Sequence, residues 1–434
     1  MLSELKRENL AVEAERVFLV GVMLPDSKCD PRDPLGELRS LAKTAGAKVV
    51  DEMVVRRNKP HPGLYLGSGK AEQLDGRCAM NEVDVIIFDN DLSPAQIREL
   101  ESISDTKVID RSELILDIFA SHARTAQSRL QVELAQLEYT YPRLTGMWTH
   151  LDRHGGGVGT RGPGERQIET DRRLVQRRVS LLKKKLDAID RRKLREVKGR
   201  QEEYCVCLVG YTNVGKSTLM NYLTEGDVYV ADKLFATLET RTRRWDTGRG
   251  NSVLLSDTVG FIRDLPHHLV ASFRATLEEA IFADLLIHVA DASNDRVEEE
   301  IAEVNRVLDE LGCSDDNRML VLNKIDRIMD PTVFPVLRER YPDALMLSAA
   351  DGNGVEGLSD EVICRCGGAM VRARITADCG NGKLMHCIAR HAEVEHQTYE
   401  GSMAQIDATV SLSGIDDIRA LGGEVSVDDA GDKV

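Results

Sequence analysis

The stretch YCVCLVGYTNVGKSTLMNYL, Tyr204 to Leu223, decides the fold. It opens with an apolar run of strand character and closes in a helical stretch from Thr218 onward. Between them, Gly210, Tyr211, Thr212, Asn213, Val214, Gly215, Lys216 and Ser217 match the spacing G-x-x-x-x-G-K-[ST] where the chemistry needs it, after a strand and before a helix. The glycines let backbone N–H groups wrap a phosphate at a helix N-terminus. Lys216 offers a cation to β- and γ-phosphate oxygens, and Ser217 a hydroxyl to Mg2+.

Reading toward the C-terminus, DTVGFI begins at Asp257, the expected Mg2+-linked carboxylate. It runs through Thr258 and Val259 to Gly260, whose N–H is expected to sense a γ-phosphate. Phe261 follows where a water-orienting glutamine often stands. In FATLET, Phe235 and Ala236 lead to Thr237, the candidate switch threonine over Mg2+ and γ-phosphate. NKID supplies Asn323, Lys324 and Asp326 at guanine-reading spacing: a carboxylate here accepts from the N1–H and exocyclic amine of guanine, a donor pair that adenine lacks. Ser348, Ala349 and Ala350 stand at a strand end where a backbone contact to the guanine O6 is expected. The catalytic candidates are thus Lys216, Thr237 and Gly260, and the metal candidates Ser217, Thr237 and Asp257. Any one motif alone reads equally as a polar residue at a strand end; their order and strand-end placement join them into one nucleotide site. YLGSGKAEQL, by contrast, is not a second such loop, because Leu64 stands five residues before Gly69 and Ala71 replaces the hydroxyl.

Working toward the N-terminus, residues 15–110 alternate short apolar strands with helical stretches, the rhythm of a small parallel sheet covered by helices. Ser93-Pro94 is a helix start with an N-cap and Pro at N1. From about 112 the pattern is helical. Ala123, Leu130 and Leu137 recur every seventh residue, as do Gln127, Leu134 and Tyr141; a second run carries Ile168, Val175, Leu182 and Ile189, with Val179 and Leu186 interleaved. Two such seams predict an antiparallel hairpin, the plainer alternative being two ordinary core helices. Between them lies a loop with glycines at 155, 156, 157, 159, 162 and 164, which reads either as a linker or as bare backbone able to approach a polyanion.

The whole is predicted to be α/β: a small N-terminal parallel-sheet domain (1–111), a helical hairpin (112–203) with its glycine-rich loop at about 144–164, a central P-loop GTPase domain (204–367) and a small C-terminal α+β accessory domain (368–434). The 434 residues carry a net charge of -15, which argues against uniform coating of nucleic acid. Yet Arg143 to Arg200 holds 17 Lys and Arg against 7 Asp and Glu, a basic module in an acidic chain. No apolar run approaches the roughly 20 residues that span a bilayer. A polar N-terminus and nine cysteines without a CxxC pair fit a reduced, cytoplasmic setting, and we expect a monomer with no DNA partner and no stable membrane insertion. Cys364, Cys366, Cys379, His386 and Cys387 form a cluster, but Cys-x-Cys would set two thiols on one strand face without tetrahedral spacing, so free buried thiols are expected rather than a metal site.

GYTNVGKST, FATLET, DTVGFIRDLPHHLVASFRATLEE and NKID, preceded by RHGGGVGTRGPGERQIETDRR and VIDRSELILDIFASHARTAQSRLQVELAQLEYTYPRL, resemble the HflX-type GTPases over about residues 15–360. The resemblance implies hydrolysis of GTP to GDP with Mg2+. It also implies binding to the large ribosomal subunit, with hairpin and glycine loop reaching rRNA, in splitting or rescue of stalled ribosomes or in subunit maturation. Relatives share a hydrophobic residue after the switch II glycine, so Phe261 implies that the ribosome completes the site. Asn213 resembles an asparagine that in some P-loop GTPases helps hold a K+ ion; its alternative role is to stabilise the loop. Glu239-Thr240 departs from the more usual Asp-Pro and bears on switch I mobility. The competing readings are a GTPase in RNA modification or signalling that binds no ribosome, and a binding module that holds GTP without turnover.

Overall fold

The computed structural model describes residues 15–27, 29–146, 163–198, 204–224, 234–235, 240–248, 251–263, 280–367 and 370–427. The first sheet is built from β1 (Arg16–Met23), β2 (Lys48–Arg56), β3 (Val85–Phe88) and β4 (Lys107–Asp110), in the order β2-β1-β3-β4 with every pairing parallel. Because side chains alternate along a strand, β1 feeds two cores. Val17 and Leu19 pack with α1 (Gly36–Thr44) and α4 (Arg111–His122); Phe18, Val20 and Val22 pack with α2 (Ser68–Asn81) and α3 (Pro94–Ser104) on the other face. Ser93 caps α3 through a reciprocal pair with Gln96, with Pro94 inside the first turn.

The helical region after residue 112 divides. Leu114, Ile115, Ile118 and Phe119 of α4 belong to the first core, and so does Ala123, which seven-residue spacing had placed on the hairpin seam. Only α5 (Ala126–Thr140) and α6 (Pro163–Lys198) form the hairpin, closed by Leu130, Leu134 and Leu137 against Val179, Leu182 and Leu186. The end of α5 next to the connecting loop is tied to the first domain by Asp110, the N-cap of α4, whose buried carboxylate accepts from Tyr139 Oη at 2.9 Å and Arg143 Nη2 at 3.1 Å.

Next come β5 (Cys205–Gly210), α7 (Lys216–Thr224), β6 (Arg241–Gly248), β7 (Asn251–Asp257), β8 (Leu285–Asp291), α8 (Val297–Glu310), β9 (Arg318–Asn323), α9 (Val333–Arg340), β10 (Leu345–Met346) and α10 (Val355–Gly367). Their sheet runs β10-β9-β8-β5-β7-β6, parallel except that β6 is antiparallel to β7. The carboxyl ends of β5, β7 and β9 therefore open on one edge, where α/β sheets bind ligands. Cys364 and Cys366 lie on α10, not on a strand: the apolar face of that helix, Val355, Leu358 and Val362, takes the segment into the core, and Cys364 is exposed.

The last unit comprises β11 (Met370–Asp378), α11 (Gly382–His391), β12 (Ala392–Glu400), β13 (Met403–Ser411), α12 (Leu412–Ala420) and β14 (Glu424–Val427). Its antiparallel sheet, β12-β13-β11-β14, gives a split β-α-β pattern, with Ile375, Ile406, Leu384 and Ile418 in the core.

Candidate nucleotide site

The loop after β5 is shaped by what glycine alone permits. Gly210 has φ +149°, and a Cβ there would fall 2.1 Å from the carbonyl oxygen of Val289. Gly215 has φ +98°, and a Cβ would fall 2.4 Å from Asn323 Nδ2. Lys216 opens α7, and its Nζ donates to the carbonyls of Gly210 at 3.0 Å and Tyr211 at 2.7 Å, with burial lowering its pKa to about 8. Ser217 Oγ donates to Asp257 Oδ2 at 2.7 Å. The pairing of Leu208 with Asp257 across β5 and β7 sets this contact, and Thr258 Oγ1 fixes the strand end by donating to the carbonyl of Leu208 at 2.7 Å. A hydroxyl and a fully buried carboxylate side by side are hard oxygen donors, so the pair fits Mg2+.

Three further loops converge here. Asn323 Nδ2 donates to the carbonyl of Val214 at 2.8 Å, and its Oδ1 accepts from Ala349 N at 2.9 Å. Lys324 Nζ reaches the carbonyl of Asn213, itself at φ +62°, and Asp291 Oδ2. The Asp326 carboxylate stays exposed on a short turn, Ile325–Arg327, while Ser348 is buried and Ala350 exposed beside it. Gly260 lies against the loop: a Cβ there would fall 2.8 Å from Thr212 Cα and 3.0 Å from Lys216 Nζ. Phe261 pairs with the loop backbone, donating to the carbonyl of Gly210 at 3.1 Å and accepting from Thr212 N at 2.7 Å, while its side chain is buried with Val209, Leu286 and Val304.

Not every expected residue turns its side chain to this site. Phe235 and Val259 are buried in the first domain's core, Phe235 edge-on to Phe119 with ring centroids 4.6 Å apart, because apolar side chains here find a drier surface than a phosphate site offers. Tyr211 likewise points its hydroxyl at Glu37 Oε1, 2.7 Å away. Thr218 sits half-buried within α7. Ala236 and Thr237 lie outside the described residues, as do residues 147–162 of the glycine-rich loop, whose Pro163 and Gly164 belong to the start of α6.

A second set of residues joins the first domain to switch II; Arg111, Tyr211 and Arg263 stand within the quoted stretches, but Glu37 and Asp89 lie outside every motif. Arg263 N donates to Tyr211 Oη at 2.5 Å and to Glu37 Oε1 at 3.3 Å, and the Arg263 carbonyl accepts from Arg111 Nη2 at 3.1 Å. Arg111 also bridges Glu37 Oε2 at 2.9 Å and Asp89 Oδ1 at 2.7 Å, and Arg263 Nη2 donates to Asp89 Oδ2 at 2.8 Å. Burial works against the charged form of Glu37, but the Arg111 and Arg263 guanidiniums outweigh it and hold the carboxyl below its ordinary range. The sequence signal was slight: Glu37 reads as one more acid in a helical first turn.

With this geometry in place, comparison with known proteins is direct. Residues 32–120 match the family described as GTP-binding GTPase N-terminal, 122–200 the GTP-binding GTPase Middle Region, and 205–324 the 50S ribosome-binding GTPase family. The GTPase HflX of Escherichia coli is 42% identical over 405 residues, covering 92% of this chain and 92% of that relative. The chain belongs to the HflX family of GTPases. The GTPase HflX of Lacrimispora saccharolytica is 46% identical over 347 residues, covering 79% of this chain and 81% of the relative. A solved structure described as the SsGBP and GDP complex covers 80% of this chain and 97% of its own at 25% identity and TM-score 0.46. The HflX-type resemblance read from the motifs is therefore correct, and the chain is a GTP hydrolase with an α/β, P-loop architecture. Among the described residues no helix is long and apolar enough to cross a membrane.

Proposed function

We propose that this GTPase acts on the large ribosomal subunit, binding it in the GTP state and hydrolysing GTP there, in splitting, rescue or maturation. The observation that carries the reading is the burial of Phe261: the side chain after Gly260 is committed to the core and cannot orient an attacking water. A partner that aligns the switches supplies that step, and partner-completed sites gain orders of magnitude in rate. The similarity of residues 205–324 to the 50S ribosome-binding GTPase family supports the choice of partner. So does the exposed face of α6, where Arg173, Arg177 and Lys184 flank Leu181.

In this reading Lys216 neutralises β- and γ-phosphate oxygens and the amides of residues 210–218 cradle them. Ser217, Asp257 and Thr237 hold Mg2+, which when bound spreads the charge of the phosphates. Gly260 senses the γ-phosphate through its N–H. Asp326 reads the guanine N1–H and amine, Asn323 joins the guanine and phosphate loops, and Ser348 to Ala350 present backbone to O6. Asn213 contributes to a K+ site, which equal hydrolysis in matched potassium and sodium buffers would exclude. The work is cytoplasmic and the chain monomeric.

The decisive measurement is multiple-turnover phosphate release with and without purified large subunits. The chain alone should turn over at about 10⁻⁴ to 10⁻³ s⁻¹, with strong stimulation by subunits. Equal rates in both tubes would refute ribosomal completion, and failure to co-sediment with subunits under a non-hydrolysable GTP analogue would favour a task away from the ribosome.

A further inference from the structure

Switch II is held from two sides. On one side Phe261 pairs with Gly210 and Thr212, which brings Gly260 down on Thr212 and Lys216. On the other, the Arg263 carbonyl accepts from Arg111 of the first domain, while its N–H donates to Tyr211 Oη at 2.5 Å, a hydroxyl itself bonded to Glu37, and more weakly to Glu37 at 3.3 Å. The guanidinium of Arg263 is fixed by Asp89, and Val259 and Ile262 insert into the first domain's core. The polar part of this contact is itself buried, with Arg111 3% and Arg263 8% exposed. Asp89 takes one bond from each arginine and Arg111 bridges two carboxylates, a buried charge-assisted network that holds geometry tightly.

The arrangement bears on one chemical group. A single methyl on Gly260 would already crowd the Thr212 backbone at 2.8 Å and approach Lys216 Nζ to 3.0 Å, so glycine, loop and ammonium lie close together as they stand. For a γ-phosphate to engage both, the Gly260–Phe261 segment must lift off the loop, and Arg263, two residues on, must strain or leave its partners. A β-phosphate, cradled by the loop amides, makes no such demand.

We propose that Glu37, Asp89 and Arg111 form an interdomain latch on switch II that sets the preference between GTP and GDP, disfavouring the γ-phosphate. The latch residues are positioning residues: they act through Arg263 and touch no nucleotide. The inference rests on Gly260 lying on the γ-phosphate side of the site. A ligand shifts an equilibrium only by its differential affinity for two states, so weakening the latch changes the affinity of the triphosphate and leaves that of the diphosphate.

The test is titration of the full chain with fluorescently labelled GDP and a labelled non-hydrolysable GTP analogue, for the parent, Asp89→Asn, Glu37→Gln and Arg111→Lys, with a thermal melt of each. Arg111→Lys keeps the charge but cannot bridge two carboxylates and a carbonyl in one plane; it serves if the neutralising variants do not fold. The expected result is that the ratio of GTP-analogue to GDP affinity rises about fivefold or more, with GDP affinity within about twofold of the parent. Affinities that fall together, as general destabilisation would cause, or that stay unchanged in a folded variant, overturn the latch. Lys216→Ala separates the premises: if it leaves both affinities intact the nucleotide site itself is misassigned, whereas its loss of binding beside an unchanged ratio in the latch variants overturns only the latch.

Discussion

Asn323 donates through Nδ2 to the carbonyl oxygen of Val214 across 2.8 Å, so the candidate base-reading loop after β9 is tied to the candidate phosphate loop after β5. The same side chain accepts from Ala349 N. Asn323→Ala removes both bonds and leaves a buried carbonyl and a buried N–H without partners, a loss of roughly 2 to 4 kcal/mol. Affinity for GTP and GDP should fall together, measured by titration calorimetry. A selective loss of one nucleotide would mean that Asn323 acts locally and not as a tie.

Base choice should reside in Asp326, whose carboxylate is exposed on its turn. Asp326→Asn replaces one acceptor with a donor, and the loss of a charge-assisted pair should weaken GTP binding by roughly 2 to 4 kcal/mol while improving that of xanthosine triphosphate. Unchanged GTP affinity would remove Asp326 from the site.

Binding to large subunits should fall steeply with salt, because neutralising phosphates releases counterions. Within the basic stretch Arg143 to Arg200, Arg178 pairs with Glu133 and Arg172 is half-buried, while Arg161 and the side chain of Arg166 lie outside the described residues. Arg177 is exposed, and Arg177→Ala should lower the log-log salt slope by about one. A flat salt dependence of co-sedimentation would make α6 a merely solvated face.

Stability should depend on pH through Glu300. Burial foremost, with the neighbouring carboxylates Asp291 and Glu37, raises its pKa to about 7, against the weaker pull of Arg296 and Lys324. A raised acid keeps its proton in the folded chain where the unfolded chain has lost it. Between the ordinary carboxylate range and about 7 stability therefore declines as pH rises, and above it the cost is complete. Glu300→Gln keeps an acceptor for Asn294 Nδ2 and removes the ionisation. Its melting temperature should exceed the parent's at pH 8, by the equivalent of roughly 1 to 3 kcal/mol, and match it near pH 4.5. An equal offset at both pH values would assign the effect to packing.

How much of this was legible in the sequence follows from distance along the chain. The loop after β5, Asp257, Gly260 and Asn323 could be singled out because each belongs to a short local motif, and the structure brings them together. Ser93 and Gln96 form a cap three residues apart, and a cap is equally local. Glu37 and Arg263 are 226 positions apart, and nothing in either neighbourhood marks the other as its partner. Phe235 and Val259 misled for a related reason: they stand inside switch motifs, but burial of an apolar side chain is decided by whichever core lies nearest in space. Cys364 and Cys366 were assigned to a strand because two residues are too few to distinguish a period of two from one of 3.6.

The 36 residues of α6 are a lever arm. At 1.5 Å per residue the helix is about 54 Å long, so a tilt of only about 5° about one end carries the other through roughly 5 Å, close to a full helical turn's pitch. Beside it, Asp110 holds the loop end of α5 through Tyr139 and Arg143, and the next residue, Arg111, holds switch II. Any tilt of the hairpin about this anchor would be carried along α6 in proportion to its length. Read backward, a displacement at the distant end would arrive at this anchor, beside switch II, reduced in the same proportion.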